Sequence, residues 1–223
     1  MTGTAPTWTI LVPTLGERRP LFERLMGALL PQLDSFGGQV RVAAWFNNGS
    51  PSLPTIRQRM VVAADSDYIS FVDDDDLVAP YFVEAAVEAL SQRPDYVGWQ
   101  VQCYSDGVPI AVSYHALEHG RWANRGSRFL RDISHINPIR TKIAQAVDFR
   151  KARKGQPEDR AWAEQLRRSR LLRTEVVVDR IMYHYLYSTS GSAGQGSRWK
   201  RPDLIQAGER AVIESPHFSW SHT

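Results

Sequence analysis

The chain has 223 residues, 43% of them apolar and 23% charged, enough for one substantial α/β domain and barely enough for two small ones. One cysteine, Cys103, excludes an internal disulfide framework and a cysteine-rich metal site. The net charge of +3 hides an asymmetry: residues 1–120 carry 7 Lys/Arg against 14 Asp/Glu, residues 121–201 carry 19 against 7, and residues 202–223 carry 1 against 3. No apolar run approaches the roughly 18 residues of a membrane span. The opening Met-Thr-Gly-Thr-Ala-Pro-Thr-Trp has neither a basic nor an apolar signal region, so the expected compartment is the cytoplasm.

In chain order, Thr7 to Pro13 reads as a buried strand ending at a proline. Pro20 opens a helix with apolar residues at 21, 22, 25, 26, 29, 30 and 33, and Gly37-Gly38 stop it. Val40 to Phe46 is a second strand, closed by Asn47-Asn48-Gly49, and Thr55 to Ala64 is helical. Tyr68 to Val72 is a third strand, and Pro80 starts a helix with apolar residues at 82, 83, 86, 87 and 90. Strand alternating with helix is the doubly wound pattern, in which ligands bind at the carboxyl ends of the strands.

The second half is less regular. Tyr96 to Tyr104 and Val108 to Tyr114 read as strands around the turn Ser105-Asp106-Gly107, and Gly120 to Arg131 as polar loop. Pro138 to Val147 reads as a helix, as does the segment from Pro157, with Pro at its first turn and carboxylates at the positive end of its dipole. Val176 to Leu186 is a strand, and Ser188 to Ser197 is Ser/Gly-rich, as a mobile lid would be. No repeat or domain linker is visible. The expected division is functional, an acidic half over 1–120 and a basic half over 121–223 of one continuous domain.

Asp73-Asp74-Asp75-Asp76 follow the third strand directly, and four like charges in a row need a compensating positive charge. A divalent cation is the simplest, since hard carboxylate oxygens suit Mg²⁺ or Mn²⁺, ions usually shared with substrate phosphates. In an extended Asp-X-Asp the first and third side chains face the same way, so Asp73 and Asp75 are expected to converge. The bland alternative is an exposed acidic turn, with Asp76 capping the helix that begins at Pro80.

These segments together resemble the family 2 glycosyltransferases of the GT-A fold, a Rossmann-like mixed sheet flanked by helices. The resemblance runs from about Thr9 to Tyr187 and rests on Ile-Leu-Val-Pro-Thr at 10–14, Asn47-Asn48-Gly49, Arg57-Gln58, Phe-Val-Asp-Asp-Asp-Asp at 71–76 and Glu158-Asp159. It implies a nucleotide-sugar donor, a UDP-sugar first among them, held by Pro13, Thr14, Asn47, Asn48, Arg57, Asp73 and Asp74. It implies Mn²⁺ or Mg²⁺ at Asp73 and Asp75, with His184 completing the site. The family pattern has Asp where this chain ends its second strand in Asn47-Asn48, which leaves the base open, because an amide both accepts and donates. It has Arg-Asn where this chain has Arg57-Gln58.

Glycosyl transfer needs a general base for the acceptor hydroxyl. Glu158-Asp159 resembles the family's Glu-Asp motif, with Asp159 expected as the base and Glu158 orienting it or binding the acceptor; direct displacement would invert the anomeric centre. Without the resemblance, the pair reads as an acidic helix start and His184 as a core or surface histidine.

The acceptor must be read from the basic half. Arg150-Lys151 and Arg167, Arg168 and Arg170 bracket the expected base in sequence, with Trp122, Phe129, Phe149, Trp162, Tyr183 and Trp199 interleaved. Cations with aromatic platforms suit a polyanion with stackable bases. The leading expectation is DNA carrying a hydroxylated base, flipped out to be reached, as for phage enzymes that glycosylate their genomes. The alternatives are a cell-envelope polysaccharide or polyprenyl-phosphate-linked sugar, and a non-catalytic nucleic-acid binder with this fold. The clustered carboxylates count against the last.

Overall fold

The computed structural model describes residues 4–188 and 218–221. Among them, eleven strands form one mixed sheet. The strands are β1 (Trp8–Leu15), β2 (Val40–Asn47), β3 (Tyr68–Phe71), β4 (Leu77–Val78), β5 (Tyr96–Ser105), β6 (Val108–His115), β7 (Ala123–Arg125), β8 (Arg128–Arg131), β9 (Ile139–Arg140), β10 (Glu175–Tyr187) and β11 (Phe218–Ser221). The helices are α1 (Arg19–Leu29), α2 (Leu53–Ala63), α3 (Phe82–Ser91), α4 (Thr141–Ala144) and α5 (Glu158–Ser169). The sheet runs β11-β2-β1-β3-β9-β5-β6-β8-β7, and β10 lies against β5 and β4. The α/β expectation is met, and the sheet takes strands from both the acidic and the basic half.

β1 shows why the layers form. It lies between β2 and β3, parallel to both, and is buried on both faces. Trp8, Ile10 and Val12 point to one side, where Phe22, Leu25 and Leu29 of α1 and Phe82 and Ala86 of α3 cover them. Leu11 points to the other side and joins Ile56 and Met60 of α2 with Trp162 and Leu166 of α5. A parallel strand flanked by helices on both faces reads as a continuous apolar run, as residues 8–12 do.

Three expectations need correction. The first helix does not run to Gly37; α1 stops at Leu29, and short 3-10 turns at Leu30–Gln32 and Asp34–Phe36 continue the chain. Pro31 explains this, because it has no N–H to donate and its ring collides with the preceding turn. The stretch 120–131 is not a loop. β7 and β8 pair around Gly126, whose φ of +58° suits a residue without a side chain, and β8 adds parallel to β6. Its polar composition reflects an edge ribbon with Arg125 and Arg128 exposed. The helix expected over 138–147 is only α4, because Ile139 and Arg140 are used as a bridge between β3 and β5. The β5–β6 hairpin turns as its sequence predicts, with Asp106 and Gly107 both at positive φ. The Ser/Gly-rich stretch beyond Ser188, with Trp199, lies outside the described residues.

A polar cluster pins β5 and β6 to the segment that follows β8. His115 lies between Ser113, 3.0 Å from Nε2, and Asn137, 2.6 Å from Nδ1, while Asn137 donates to the carbonyl of Val97. Nδ1 donates to the amide oxygen, so Nε2 accepts from the hydroxyl and the ring is neutral. Burial pushes the imidazole pKa down to about 4 against the opposing hydrogen bond to Asn137. The unfolded chain, with an ordinary histidine near 6.5, therefore takes up the proton first. Stability from this site is whole above about pH 6.5 and is lost as pH falls toward 4. Urea unfolding of the wild type and of His115→Gln should show the wild type losing roughly 2–3 kcal/mol more than the variant between pH 7 and 4.5. Parallel curves would mean that His115 titrates normally in the fold.

Candidate functional site at the carboxyl ends of β1 and β3

Pro13 decides where the third strand ends. β1 and β3 pair as far as Leu11 and Phe71, and the N–H of Val72 still donates to Leu11. The next rung would take an N–H from Pro13, which has none, so the ladder stops there. The chain turns at once, with the N–H of Asp76 donating to the carbonyl of Asp73 at 3.1 Å. The four carboxylates thus sit on a tight turn, not on extended backbone, and they point in different directions.

Asp73 meets Nη2 of Arg57 at 2.7 Å, and Nε2 of His135 lies 3.5 Å from its other oxygen. Asp74 is buried, accepts from the Thr14 hydroxyl at 2.5 Å and pairs with Arg18 at 2.6 Å. Asp75 pairs with the same Arg18 at 2.7 Å, and its backbone carbonyl accepts from Arg24. Asp76 is buried and accepts from the Tyr183 hydroxyl and the N–H of Leu186, both at 2.8 Å, so it ties the turn to β10 and does not cap α3. Tyr183 also accepts from the N–H of Asp73 at 3.1 Å. The positive charge that the sequence demanded is supplied in this structure by arginines.

The charges are unequal. Burial opposes ionisation of Asp73, but Arg57 and His135 outweigh it and hold that carboxyl well below the ordinary range. Burial pushes Asp74 up to about 6 against the Thr14 hydrogen bond and Arg18. Burial raises Asp75 despite Arg18. It raises Asp76 further, with the negative charges of Asp75 and Asp73 adding to the effect.

This donor set can be tested against a divalent cation. The described residues contain no group of three His, Cys, Asp or Glu placed to hold a metal ion. Asp74 and Asp76 are turned inward and already bonded, whereas Asp73 and Asp75 each keep 26% of their side-chain surface exposed. Two accessible hard carboxylates fit Mg²⁺ or Mn²⁺, which take one or two protein carboxylates and fill the shell with phosphate oxygens and water.

On the other side of Asp73 stands α5. Glu158 meets Nη1 of Arg57 at 2.7 Å, so Arg57, only 4% exposed, bridges the two acidic motifs. Asp159 is partly exposed and forms no ion pair among the described residues; its carboxylate accepts from the N–H of Arg160 at 2.7 Å. It lies within electrostatic reach of Arg57, Arg131 and Tyr185. Behind it, Trp162 stacks on Phe149 with centroids 4.9 Å apart.

The other expected residues fall as follows. Pro13 is buried in β1. Asn47 accepts from the N–H of Gly49 at 2.5 Å and holds the end of β2, while Asn48 is exposed. Gln58 is buried and accepts from the N–H of Phe149 at 3.0 Å, a structural use of the position beside Arg57. His184 lies 3.4 Å from the Tyr104 hydroxyl, one residue along β10 from Tyr183, so it stands on the face away from the carboxylates. His135 touches Asp73 instead, and nothing in Ile-Ser-His-Ile-Asn-Pro marks it.

The basic clusters are not gathered round Asp159. Arg150 is occupied by Asp148 at 2.7 Å, beside an exposed Lys151. Arg167 is held by the buried Asp132. Arg168 and Arg170 are exposed at the far end of α5, about 14 Å of helix rise from Asp159. Phe149, Trp162 and Tyr183 are fully buried and so are not stacking platforms. Trp122 and Phe129 instead hold Arg131, whose guanidinium lies 4.9 and 5.3 Å from their ring centres.

Residues 55–152 match the family model described as glycosyl transferase family 2. A comparison with curated proteins found no match. Among solved structures, S. aureus TarS residues 1–349 in complex with UDP is similar with a TM-score of 0.60 and 13% identity, over 82% of this chain and 61% of that one. The same TarS fragment with UDP-GlcNAc gives 0.54 and 14%, over 81% and 58%. M. tuberculosis glucosyl-3-phosphoglycerate synthase in complex with Mn²⁺, UDP and glucosyl-3-phosphoglycerate gives 0.50 and 12%, over 81% and 72%. This chain spans about three fifths of the TarS fragment. At such identities the likeness is one of fold, and that fold is GT-A.

Proposed function

We propose that this chain, whose residues 55–152 match the model of glycosyl transferase family 2, moves a sugar from a nucleotide-diphosphate sugar to a hydroxyl of an anionic acceptor, with inversion. The observation that carries this is the pairing of two motifs across Arg57: an accessible Asp73/Asp75 turn at the strand ends and, beyond it, a carboxylate with no ion pair among the described residues, Asp159. Uridine is the proposed base, supported by fold neighbours crystallised with UDP and UDP-GlcNAc.

Thr14 and Arg18 hold Asp74 inward, while Asp73 and Asp75 keep part of their side-chain surface exposed. Bound there, Mg²⁺ or Mn²⁺ supplies charge neutralisation at the departing diphosphate. Asp159 takes the proton of the attacking hydroxyl. Glu158 is held in an ion pair with Arg57. The acceptor half is residues 121–223, and the enzyme works in the cytoplasm of a bacterium or of a phage-infected host. Among the described residues no helix is long and apolar enough to cross a membrane.

The metal reading predicts that Mn²⁺ or Mg²⁺ tightens UDP binding in calorimetry and that Asp75→Asn removes this dependence while the protein stays folded. Full activity in excess EDTA would refute it. Asp159→Asn keeps the shape and removes the basicity, so kcat should fall by about 10²-fold or more at unchanged donor affinity. If Glu158→Gln is inactive and Asp159→Asn is active, the roles are exchanged.

For the acceptor, the proposal is DNA with 5-hydroxymethylpyrimidines. Its support is the charge of residues 121–201, 19 Lys/Arg against 7 Asp/Glu, more than one diphosphate requires. Binding to such DNA should weaken with salt at a log–log slope of about −0.9 per phosphate contact on duplex. Mass spectrometry after incubation with common nucleotide sugars should show transfer to this DNA and not to unmodified DNA. Labelling of polyprenyl-phosphate liposomes instead would replace DNA by a cell-envelope acceptor.

A further inference from the structure

Arg57 was expected among the donor ligands, and its surroundings assign it differently. Nη2 is taken by Asp73 and Nη1 by Glu158, each at 2.7 Å. The flat face of the guanidinium lies 5.6 Å from the centre of the Phe71 ring, and Nε is buried with no hydrogen-bond partner among the described residues. Two of the guanidinium's five N–H groups are taken by the carboxylates, and with 4% of the residue exposed the other three have little access to a diphosphate.

The same column anchors α5. Phe71 meets Phe149 edge-on at 5.6 Å, and Phe149 stacks on Trp162 at 4.9 Å. Trp162 is one turn on from Glu158, so the two fall on one face of α5. That face is fixed twice over, by ring packing at Trp162 and by charge at Glu158. Asp159, the next residue, is carried about 100° round the helix, off the anchored face. We propose that Arg57 is a positioning residue: through Glu158 it sets the first turn of α5, and with it the Asp159 carboxylate, at a fixed place beside the Asp73 turn, and it does not itself bind the donor.

Removing the guanidinium leaves Asp73 and Glu158 facing each other with no cation between them. Their repulsion falls on the first helical turn, the part of α5 with the fewest backbone hydrogen bonds. Misplacement of a base by about 1 Å costs on the order of 10²-fold in rate without a matching loss of donor affinity. A lysine cannot restore the arrangement, because a single ammonium lacks the fork that spans two carboxylates.

This inference rests on the glycosyl-transfer reading with Asp159 as base. The test uses the full chain as wild type, Arg57→Gln, Arg57→Lys, Glu158→Gln and the double variant Arg57→Gln/Glu158→Gln. UDP binding with Mn²⁺ is measured by calorimetry, kcat and donor KM by hydrolysis of UDP-GlcNAc, and amide exchange at residues 158–162 by mass spectrometry. Expected are UDP affinity and donor KM within about threefold of wild type, a kcat lowered at least tenfold in each single variant, and faster exchange in the first turn of α5. The double variant should be no slower than the worse single one, because both remove the same link. A UDP affinity weakened tenfold or more in Arg57→Gln at unchanged kcat would make Arg57 a donor ligand and overturn the proposal. If Arg57→Gln does not fold, Glu158→Gln, which alters a partly exposed group, decides alone: wild-type kcat there also overturns it. A wild-type protein that binds no UDP and cleaves no nucleotide sugar overturns the glycosyl-transfer reading, and this inference with it.

Discussion

The structure depends on burying negative charge at the end of β3 and matching it with guanidinium groups. Moving a carboxylate out of water costs several kcal/mol even after relaxation, and attraction from a nearby cation offsets that only at short range and good geometry. Each aspartate settles this contest differently. Asp73, with Arg57 at 2.7 Å, stays ionised well below the ordinary range. At Asp74 desolvation wins over Arg18 and Thr14, and the pKa rises to about 6. Asp76 has two hydrogen-bond donors and, among the described residues, no cation in direct contact, and it shifts furthest upward. Four identical side chains in sequence thus become four chemically different groups.

That inequality separates an inward pair from an outward one. The inward pair is structural: Asp74 ties the turn to β1 through Thr14, and Asp76 ties it to β10 through Tyr183 and Leu186. The outward pair keeps exposed surface and is partnered by arginines on opposite sides, Arg57 from α2 and Arg18 from the turn after β1. An arginine is always charged and cannot leave the site as an ion can, so the folded protein carries its own compensation when no ligand is near. A cation arriving with a diphosphate adds charge of both signs and leaves the local balance close to where it began.

The alternation of strands and helices in the first half was legible in the sequence because periodicity reports burial, and these elements are buried. The apolar run of β1, the Asp106-Gly107 turn and the start of α5 at Pro157 all appear as read. The misses have physical causes. Pro31 lies inside an otherwise regular apolar period, and the period outweighed the imino acid that ends the helix at Leu29. The β7–β8 ribbon has only exposed and half-buried positions and so no alternation to see. At the site, the carboxylates were legible as a cluster but not by direction, because the turn that scatters them follows from a missing N–H in another strand. Arg18, His135 and Tyr183 reach the cluster from positions 55, 62 and 110 residues from Asp73, and no local pattern encodes such distances.

The basic half shows how far charge counting carries. Arginine in a folded protein is first a structural cation, and several here are already used. Arg140 pairs with Asp95 at 3.0 Å, Arg150 with Asp148 at 2.7 Å and Arg167 with the buried Asp132. Arg131 lies between Trp122 and Phe129 and also donates to three backbone or side-chain oxygens. The excess read from residues 121–201 is therefore larger than the charge presented to a partner. Exposed basic residues include Lys151, Arg153, Lys154 and Arg160 at or just before the start of α5, Arg168 and Arg170 at its far end, Arg121, Arg125 and Arg128 on or beside the β7–β8 ribbon, and Lys142, Arg173 and Arg180 elsewhere. The ribbon ends in Arg131, which lies within electrostatic reach of Asp159, whereas Arg168 and Arg170 stand about 14 Å of helix rise away from it. An anionic acceptor whose hydroxyl reaches Asp159 is therefore better served by the ribbon than by the far end of α5, where the sequence concentrates its charge.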